Sequence, residues 1–235
     1  MIGKDKQRCV AFVPCRKGSQ RVKDKNTKKF ANIDKGLISI KLNQLQDIDE
    51  IDEIFLTTND EKILEYASSL NDSRIVLDKR NENLCESSTS TDQLIEYASN
   101  VLSNCIVLWT HVTSPFLSSK IYKEAIDLYS KNVLDGNHDS LMTVNNVQKF
   151  LWNINGPINY DRKKEKWPRT QTLQKIYEVN SGIFMSDATI FKKYNDRIGK
   201  KPYLMPLKDL IAFDIDWEED WILAEQIYLN NIAKI

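Results

Sequence analysis

Short apolar runs rich in β-branched residues recur along the chain. Between them lie stretches whose apolar residues fall three or four apart. The runs are "CVAFVP" (9–14), "EIFLTT" (53–58), "RIVLD" (74–78), "CIVLWT" (105–110) and "SLMTV" (140–144). Brief apolar runs of this kind read as strands covered on both faces. The stretches between read as helices with one apolar stripe. They are 37–48 (Leu37, Ile40, Leu42, Leu45), 60–70 (Ile63, Leu64, Ala67), 90–102 (Leu94, Ile95, Ala98) and 118–130 (Ile121, Ile126, Tyr129). The alternation predicts an α/β fold: a mostly parallel, Rossmann-like sheet with helices on both faces.

The rhythm stops at 145–176. That segment holds two Trp, two Pro, one Gly and the charge run "DRKKEK". It reads as a small β-hairpin arm inserted into a single domain spanning 1–235. Beyond it, "SGIFM" (181–185) and "PYLMPL" (202–207) read as strands. A last amphipathic helix, 217–231, carries Trp221, Leu223, Ala224, Ile227 and Tyr228.

Composition narrows the picture. Hydrophobic residues make up 41% of the 235 and charged residues 28%, enough for a packed core. Lys plus Arg and Asp plus Glu number 33 each, which argues against a nucleic-acid binder. No apolar run approaches the roughly 18 residues of a membrane span, and the first residues carry no signal-peptide pattern. Cys9, Cys15, Cys85 and Cys105 form no CxxC pair, so a reduced, cytoplasmic protein without structural zinc is expected.

Local charge is far from balanced. From Arg16 to Lys29 there are seven Lys or Arg and one acid, Asp24. This loop follows the first strand, where open α/β sheets bind ligands. Gly18 and Ser19 can offer backbone N–H groups to an anion. Arg16 can fork onto two phosphate oxygens and Lys25 adds a point charge. Asn26 can bond a ribose or a phosphate. Neither a Walker loop nor G-x-G-x-x-G is present, and a merely solvated basic loop is the structural alternative. Near the other end, "AFDIDWEED" (212–220) puts Asp214 and Asp216 on one edge of an extended segment. Two hard oxygen ligands suit Mg²⁺ or Mn²⁺ leaning on substrate phosphates. Glu218 and Glu219 fit an ordinary acidic helix start.

"VPCRKGSQRVKDKN" resembles the P-A-R-x-G-S-x-x-x-x-x-K-N signature of the acylneuraminate cytidylyltransferases, the CMP-sialic acid synthetases, with Cys15 in place of Ala. "KRNENLCESSTST" (79–91) is similar to the family's R-P-x-x-L-A-x-D-x-A-S/T-S, with Arg80, Leu84 and Ser90 matching. A capped helix after a polar loop is the plainer reading there. "LWTHVTSPFL" (108–117) resembles L-L-Q-P-T-S-P-L-R: Thr113, Ser114 and Pro115 are intact, while His111 replaces Gln, Val112 replaces Pro and Leu117 replaces Arg. Asp214, Ile215, Asp216 and Asp220 match D-I-D-T-x-x-D, with Trp217 at the Thr. Arg169, Gln171, Asn180, Gly182 and Ile183 can be laid on R-Q-x-L-P and N-G-A-I-Y.

The resemblance covers about residues 9–225, with the motifs in order. It implies a GT-A-like nucleotidyltransferase sheet, an enzyme transferring CMP from CTP to an acidic sugar, and a homodimer joined by the arm. It implies CTP-binding roles for Cys15, Arg16, Ser19, Lys25, Asn26, Arg80 and Ser90. Acceptor contacts would fall to His111, Thr113, Lys149, Arg169, Gln171 and Asn180, with His111 adding pH dependence. Catalysis would fall to Arg16, Lys25, Asp214 and Asp216, the two acids also holding the metal. Other acceptors (octulosonate, phosphonate), a D-x-D glycosyltransferase and a catalytically silent nucleotide-binding protein remain alternatives. No nucleic acid and no membrane enter the expectation.

Overall fold

A computed structural model describes residues 7–208 and 210–233. The elements run β1 (Arg8–Pro14), α1 (Gly36–Gln46), β2 (Glu53–Thr58), α2 (Glu61–Ser69), β3 (Ile75–Lys79), α3 (Thr91–Val101), β4 (Cys105–Thr110), α4 (Ser119–Tyr129) and β5 (Ser140–Val147). There follow β6 (Trp152–Asn153), β7 (Gly156–Pro157), β8 (Ile176–Asp187), α5 (Ala188–Tyr194), β9 (Pro202–Leu207) and α6 (Glu218–Leu229). Seven strands form one sheet in the order β3-β2-β1-β4-β8-β5-β9, and β6 pairs with β7 alone. Strand β8 runs antiparallel to both β4 and β5, while the remaining pairings in the large sheet are parallel.

The central strands bury both faces, as their unbroken apolar runs require. In β1, Cys9, Ala11 and Val13 face a core completed by α1, α2, α4 and α6. Val10 and Phe12 face a second core with α3 and α5. There Phe12 and Trp109, adjacent strands apart, sit with ring centroids 4.7 Å from each other. Such pairs contribute about 0.5–1.5 kcal/mol beyond their buried area. Strand β3 lies at the sheet edge, and Val76 and Leu77 are correspondingly exposed.

The expected strands and four inner helices are present within a residue or two. Three features differ. Strand β8 spans twelve residues rather than the apolar five, because ladder pairing to β5 carries its polar first half. Helix α5 was not anticipated: seven residues are too few to show a helical period, and its start is fixed by the Asp187 carboxylate accepting from the Thr189 N–H. The irregular segment is shorter than expected, 148–175, since β5 extends to Val147 and β8 starts at Ile176.

Candidate active site

Strand β1 leads by α1 to β2 on one side, whereas β4 lies on its other side. The strand order reverses there while the strands stay parallel, and the crevice beyond the carboxyl ends of β1 and β4 is where such sheets take ligands. The loops after these strands wall a cavity of about 240 Å³, lined by Cys15, Arg16, Ser19, Arg21, Lys25 and Asn26 from one side and by His111 and Thr113 from the other. Asp214 and Asp216 line a second, roomier cavity of about 400 Å³ with Asn180.

Buried side chains hold the basic loop in shape. Gly18 has φ +78°, a conformation other residues seldom adopt. The Asn26 amide donates to the Arg16 carbonyl at 3.0 Å, tying the loop across ten residues. Arg80 is 3% exposed and lies beneath. It donates to the carbonyls of Cys15 (2.8 Å) and Thr57 (3.4 Å) and to Cys85 Sγ (3.1 Å). Its guanidinium thus supports the loop floor. Burial pushes the Cys15 thiol up to about 12, so the sulfur stays protonated and acts as a small wall residue. Arg16 is half-buried and donates to the Gly18 carbonyl at 3.2 Å. Ser90 is exposed and forms a capping box with Gln93 at the start of α3.

The two ends of the chain meet at Asp216. Arg21 lies 2.9 Å from its carboxylate and Lys25 3.7 Å. The Lys25 ammonium also donates to the Ile215 carbonyl at 2.7 Å. Burial lowers the Lys25 pKa, while Asp216 and Asp214 oppose the shift. Asp214 moves the other way: burial and the neighbouring Asp216 raise it, and the Thr113 hydroxyl and Lys25 oppose. The Ile215 N–H donates to the Thr113 carbonyl at 3.0 Å, fastening the acidic segment to the loop after β4. Asp220 accepts from the N–H groups of Asp216 (3.0 Å) and Trp217 (2.8 Å), so this third acid is bound to the backbone at the start of α6.

Among the described residues no His, Cys, Asp or Glu joins the pair in a three-ligand metal cluster. Two carboxylates beside a cation-lined cavity nevertheless form a donor set that fits Mg²⁺, which keeps several waters and binds substrate phosphates.

His111 differs from expectation. The Trp109 indole N–H donates to its Nε2 at 3.0 Å, and Arg197 approaches the same nitrogen at 3.5 Å. Both are donor-only groups, so Nε2 must accept and the ring proton resides on Nδ1. Burial and the nearby Arg197, Lys41 and Lys25 push the imidazole down to about 3. The ring stays neutral at physiological pH, and the pH dependence expected of it is corrected to a fixed N–H donor.

Asn180 sits in a β-bulge where β8 slips against Met142 and Val144 of β5. Its carbonyl oxygen accepts from Thr143 Oγ1 (2.6 Å) and the Gly182 N–H (3.2 Å). Lys149, Arg169 and Gln171 are exposed on the 148–175 segment.

Three charged residues escaped the sequence reading. Arg21 was one cation of seven, and only the structure singles it out by contact with Asp216. Arg197 lies in no motif; its guanidinium stacks 3.6 Å over Phe184. Lys41, in the apolar stripe of α1, is wholly buried. It donates to the Ser114 carbonyl at 3.0 Å and to the Tyr122 hydroxyl, which bonds Thr110. A helical period records such a lysine as a polar break and carries no sign of its burial.

A mostly parallel sheet whose switch-point crevice is walled by a basic loop, with an acid pair lining a second cavity, is the arrangement of a nucleotide-binding α/β class. The sequence pattern of the cytidylyltransferase family matches residues 10–234, and this chain belongs to that family. It is 25% identical over 223 residues to the N-acylneuraminate cytidylyltransferase of Streptococcus agalactiae serotype V, covering 91% of this chain and 51% of that protein. The chain therefore spans about half the length of that relative. It is 26% identical over 230 residues to the pseudaminic acid cytidylyltransferase of Campylobacter jejuni serotype O:2, covering 94% and 97% of the two chains. Among solved structures it is similar to CMP:2-keto-3-deoxy-manno-octonic acid synthetase complexed with CTP (TM-score 0.66, 12% identity, 96% and 100% coverage). Another is the 2-C-methyl-D-erythritol 4-phosphate cytidylyltransferase of Francisella tularensis (TM-score 0.64, 13% identity, 94% and 99% coverage). At these identities the two structures attest the shared fold.

Proposed function

We propose that this chain transfers CMP from CTP to the anomeric hydroxyl of an acidic sugar and releases pyrophosphate. The observation that carries the reading is the junction at Asp216, where an acid near the end of the chain meets two cations of the loop after β1. The Asp216 pairs thus join a cavity lined by cations for a triphosphate to one lined by carboxylates for a divalent ion. Family membership supplies the nucleotide, and the relatives named for N-acylneuraminate and pseudaminic acid suggest the acceptor class.

The chemistry follows from charge. The triphosphate lies along the Gly18–Ser19 backbone, Arg16 and Lys25, with Asn26 at its sugar end. The acceptor oxygen attacks the α-phosphorus; a new P–O bond forms as the α–β bridge breaks, and pyrophosphate leaves with the electron pair. Asp214, made more basic by burial, takes the hydroxyl proton. Mg²⁺, or Mn²⁺ in its place, would be held by Asp214 and Asp216 and would neutralise phosphate charge. Positioning and charge stabilisation supply the rate. His111 offers its Nδ1–H, and Thr113 its hydroxyl, to the acceptor.

The 148–175 arm supplies Lys149, Arg169 and Gln171 for the acceptor carboxylate across a homodimer. Exposed Trp167 and Ile154 support such a contact. No helix among the described residues is long and apolar enough to cross a membrane, and four buried cysteines outside any disulfide accord with a reducing cytoplasm. The test is pyrophosphate release from CTP and Mg²⁺ across a panel of acidic sugars. Turnover with at least one supports the proposal; CTP-independent turnover, or none with any acid sugar, contradicts it.

A further inference from the structure

Two cations touch Asp216, and they are held very differently. Lys25 is 9% exposed and anchored to the Ile215 carbonyl at 2.7 Å, so it is part of the frame. Arg21 has a side chain 48% exposed. Among the described residues its contacts are the Asp216 carboxylate at 2.9 Å and the face of Trp217, 5.0 Å from the ring centroid. Trp217 is itself 57% exposed. An ion pair and a cation–π contact at the surface are each weak, so this guanidinium can leave. Its other wall is the cavity lined by Arg16, Ser19 and Lys25, where anionic oxygens are expected.

We infer that Arg21 is a placeholder cation: it occupies Asp216 in the free protein and moves to the nucleotide's phosphates, freeing the carboxylate for the divalent ion. The inference rests on the cytidylyl-transfer reading and adds an order to it. Without nucleotide, Asp216 is shared by the fixed Lys25 and the loosely held Arg21, and a divalent ion must displace Arg21 and approach Lys25. With nucleotide, the polyphosphate offers Arg21 a stronger bidentate partner. Metal and nucleotide affinities are therefore coupled, and by linkage the coupling acts in both directions.

Arg21→Gln tests this with two readouts of opposite sign. Mn²⁺ binding to nucleotide-free protein, followed by its electron paramagnetic resonance signal, is expected to tighten about three- to tenfold. CTP binding in EDTA, by calorimetry, is expected to weaken by a similar factor. Arg21→Lys should restore both toward the parent values. Adding Asp216→Asn to the parent and to the Arg21→Gln variant should remove the Mn²⁺ difference between them. A merely structural Arg21 would weaken both ligands together, and that outcome overturns the inference. So does Mn²⁺ binding that is unchanged, or undetectable in both proteins. If the parent protein binds no CTP at all, the cytidylyl-transfer reading fails, while the Mn²⁺ comparison still decides the role of Arg21.

Discussion

The crevice and the 148–175 arm are both rich in charge and aromatic rings, yet they are built in opposite ways. Around the crevice, Lys25, Asn26, Lys41 and Arg80 are each under 10% exposed and tied to main-chain carbonyls, those of Lys25, Lys41 and Arg80 on distant parts of the chain. The sheet fixes their positions. In the arm, Ile154 is 99% exposed, Trp167 64% and Trp152 49%. Its order comes from its own side chains: Arg162 lies 5.3 Å over Trp152 and 5.1 Å over Trp167, and the Trp152 indole donates to the Tyr160 hydroxyl at 2.8 Å. Asn159, 2% exposed, knots the hairpin by donating to the Lys149 carbonyl and accepting from the Leu151 N–H. Buried polar groups satisfied by hydrogen bonds mark a preset site. Exposed aromatics on a self-braced hairpin are what the proposed dimer contact would cover.

Substitutions should separate the two regions. The largest effect is expected at Asp216→Ala, with turnover falling about a hundred- to a thousandfold and the melting temperature nearly unchanged, since that carboxylate is half exposed. Steady-state pyrophosphate release and a thermal melt check both halves. Arg80→Ala should act through the fold instead. It takes the guanidinium from the buried Cys15 carbonyl, while the Thr57 carbonyl keeps the Cys15 N–H, costing roughly 1–3 kcal/mol in denaturant unfolding and weakening CTP binding as the loop floor loosens.

Lys41 makes a subtler mark. An unfolded lysine keeps its proton to the usual 10.5, but burial in the folded chain pushes Lys41 down to about 7. Between those values the unfolded chain binds more protons, so this residue makes stability rise with pH from about 7 to about 10. Lys41→Met removes that slope. The stability difference between parent and variant should therefore shift in the parent's favour across this window, and a difference that stays flat would exclude the burial. The smallest effect is expected at the arm. Trp167→Ala should change monomer stability by less than about 1 kcal/mol while shifting sedimentation toward the monomer.

The inner strands β1 and β4 were legible because each is buried on both faces and so had to be continuously apolar. The crevice's position followed from the same fact, once the basic loop came directly after β1. Local pattern could not reveal what depends on distant partners. Arg80 shows this best: its motif resemblance suggested a ligand contact, and its guanidinium is instead engaged with two carbonyls and a sulfur below the loop. His111 looked like a titrating group until Trp109, two residues earlier on β4, proved to supply its donor and fix its tautomer. Helix α5 and the polar half of β8 were hidden because one is too short for a period and the other is held by its ladder rather than by apolar alternation.

The claim on which the rest depends is that the loop after β1 and the acid pair before α6 serve one nucleotide. Diffraction from crystals grown with CTP and Mg²⁺ tests it most directly. The account predicts a triphosphate in contact with the Gly18–Ser19 backbone and Arg16, with its α-phosphorus toward Asp214 and Asp216. Nucleotide bound elsewhere, with Asp216 still paired to Arg21 and Lys25, would contradict it.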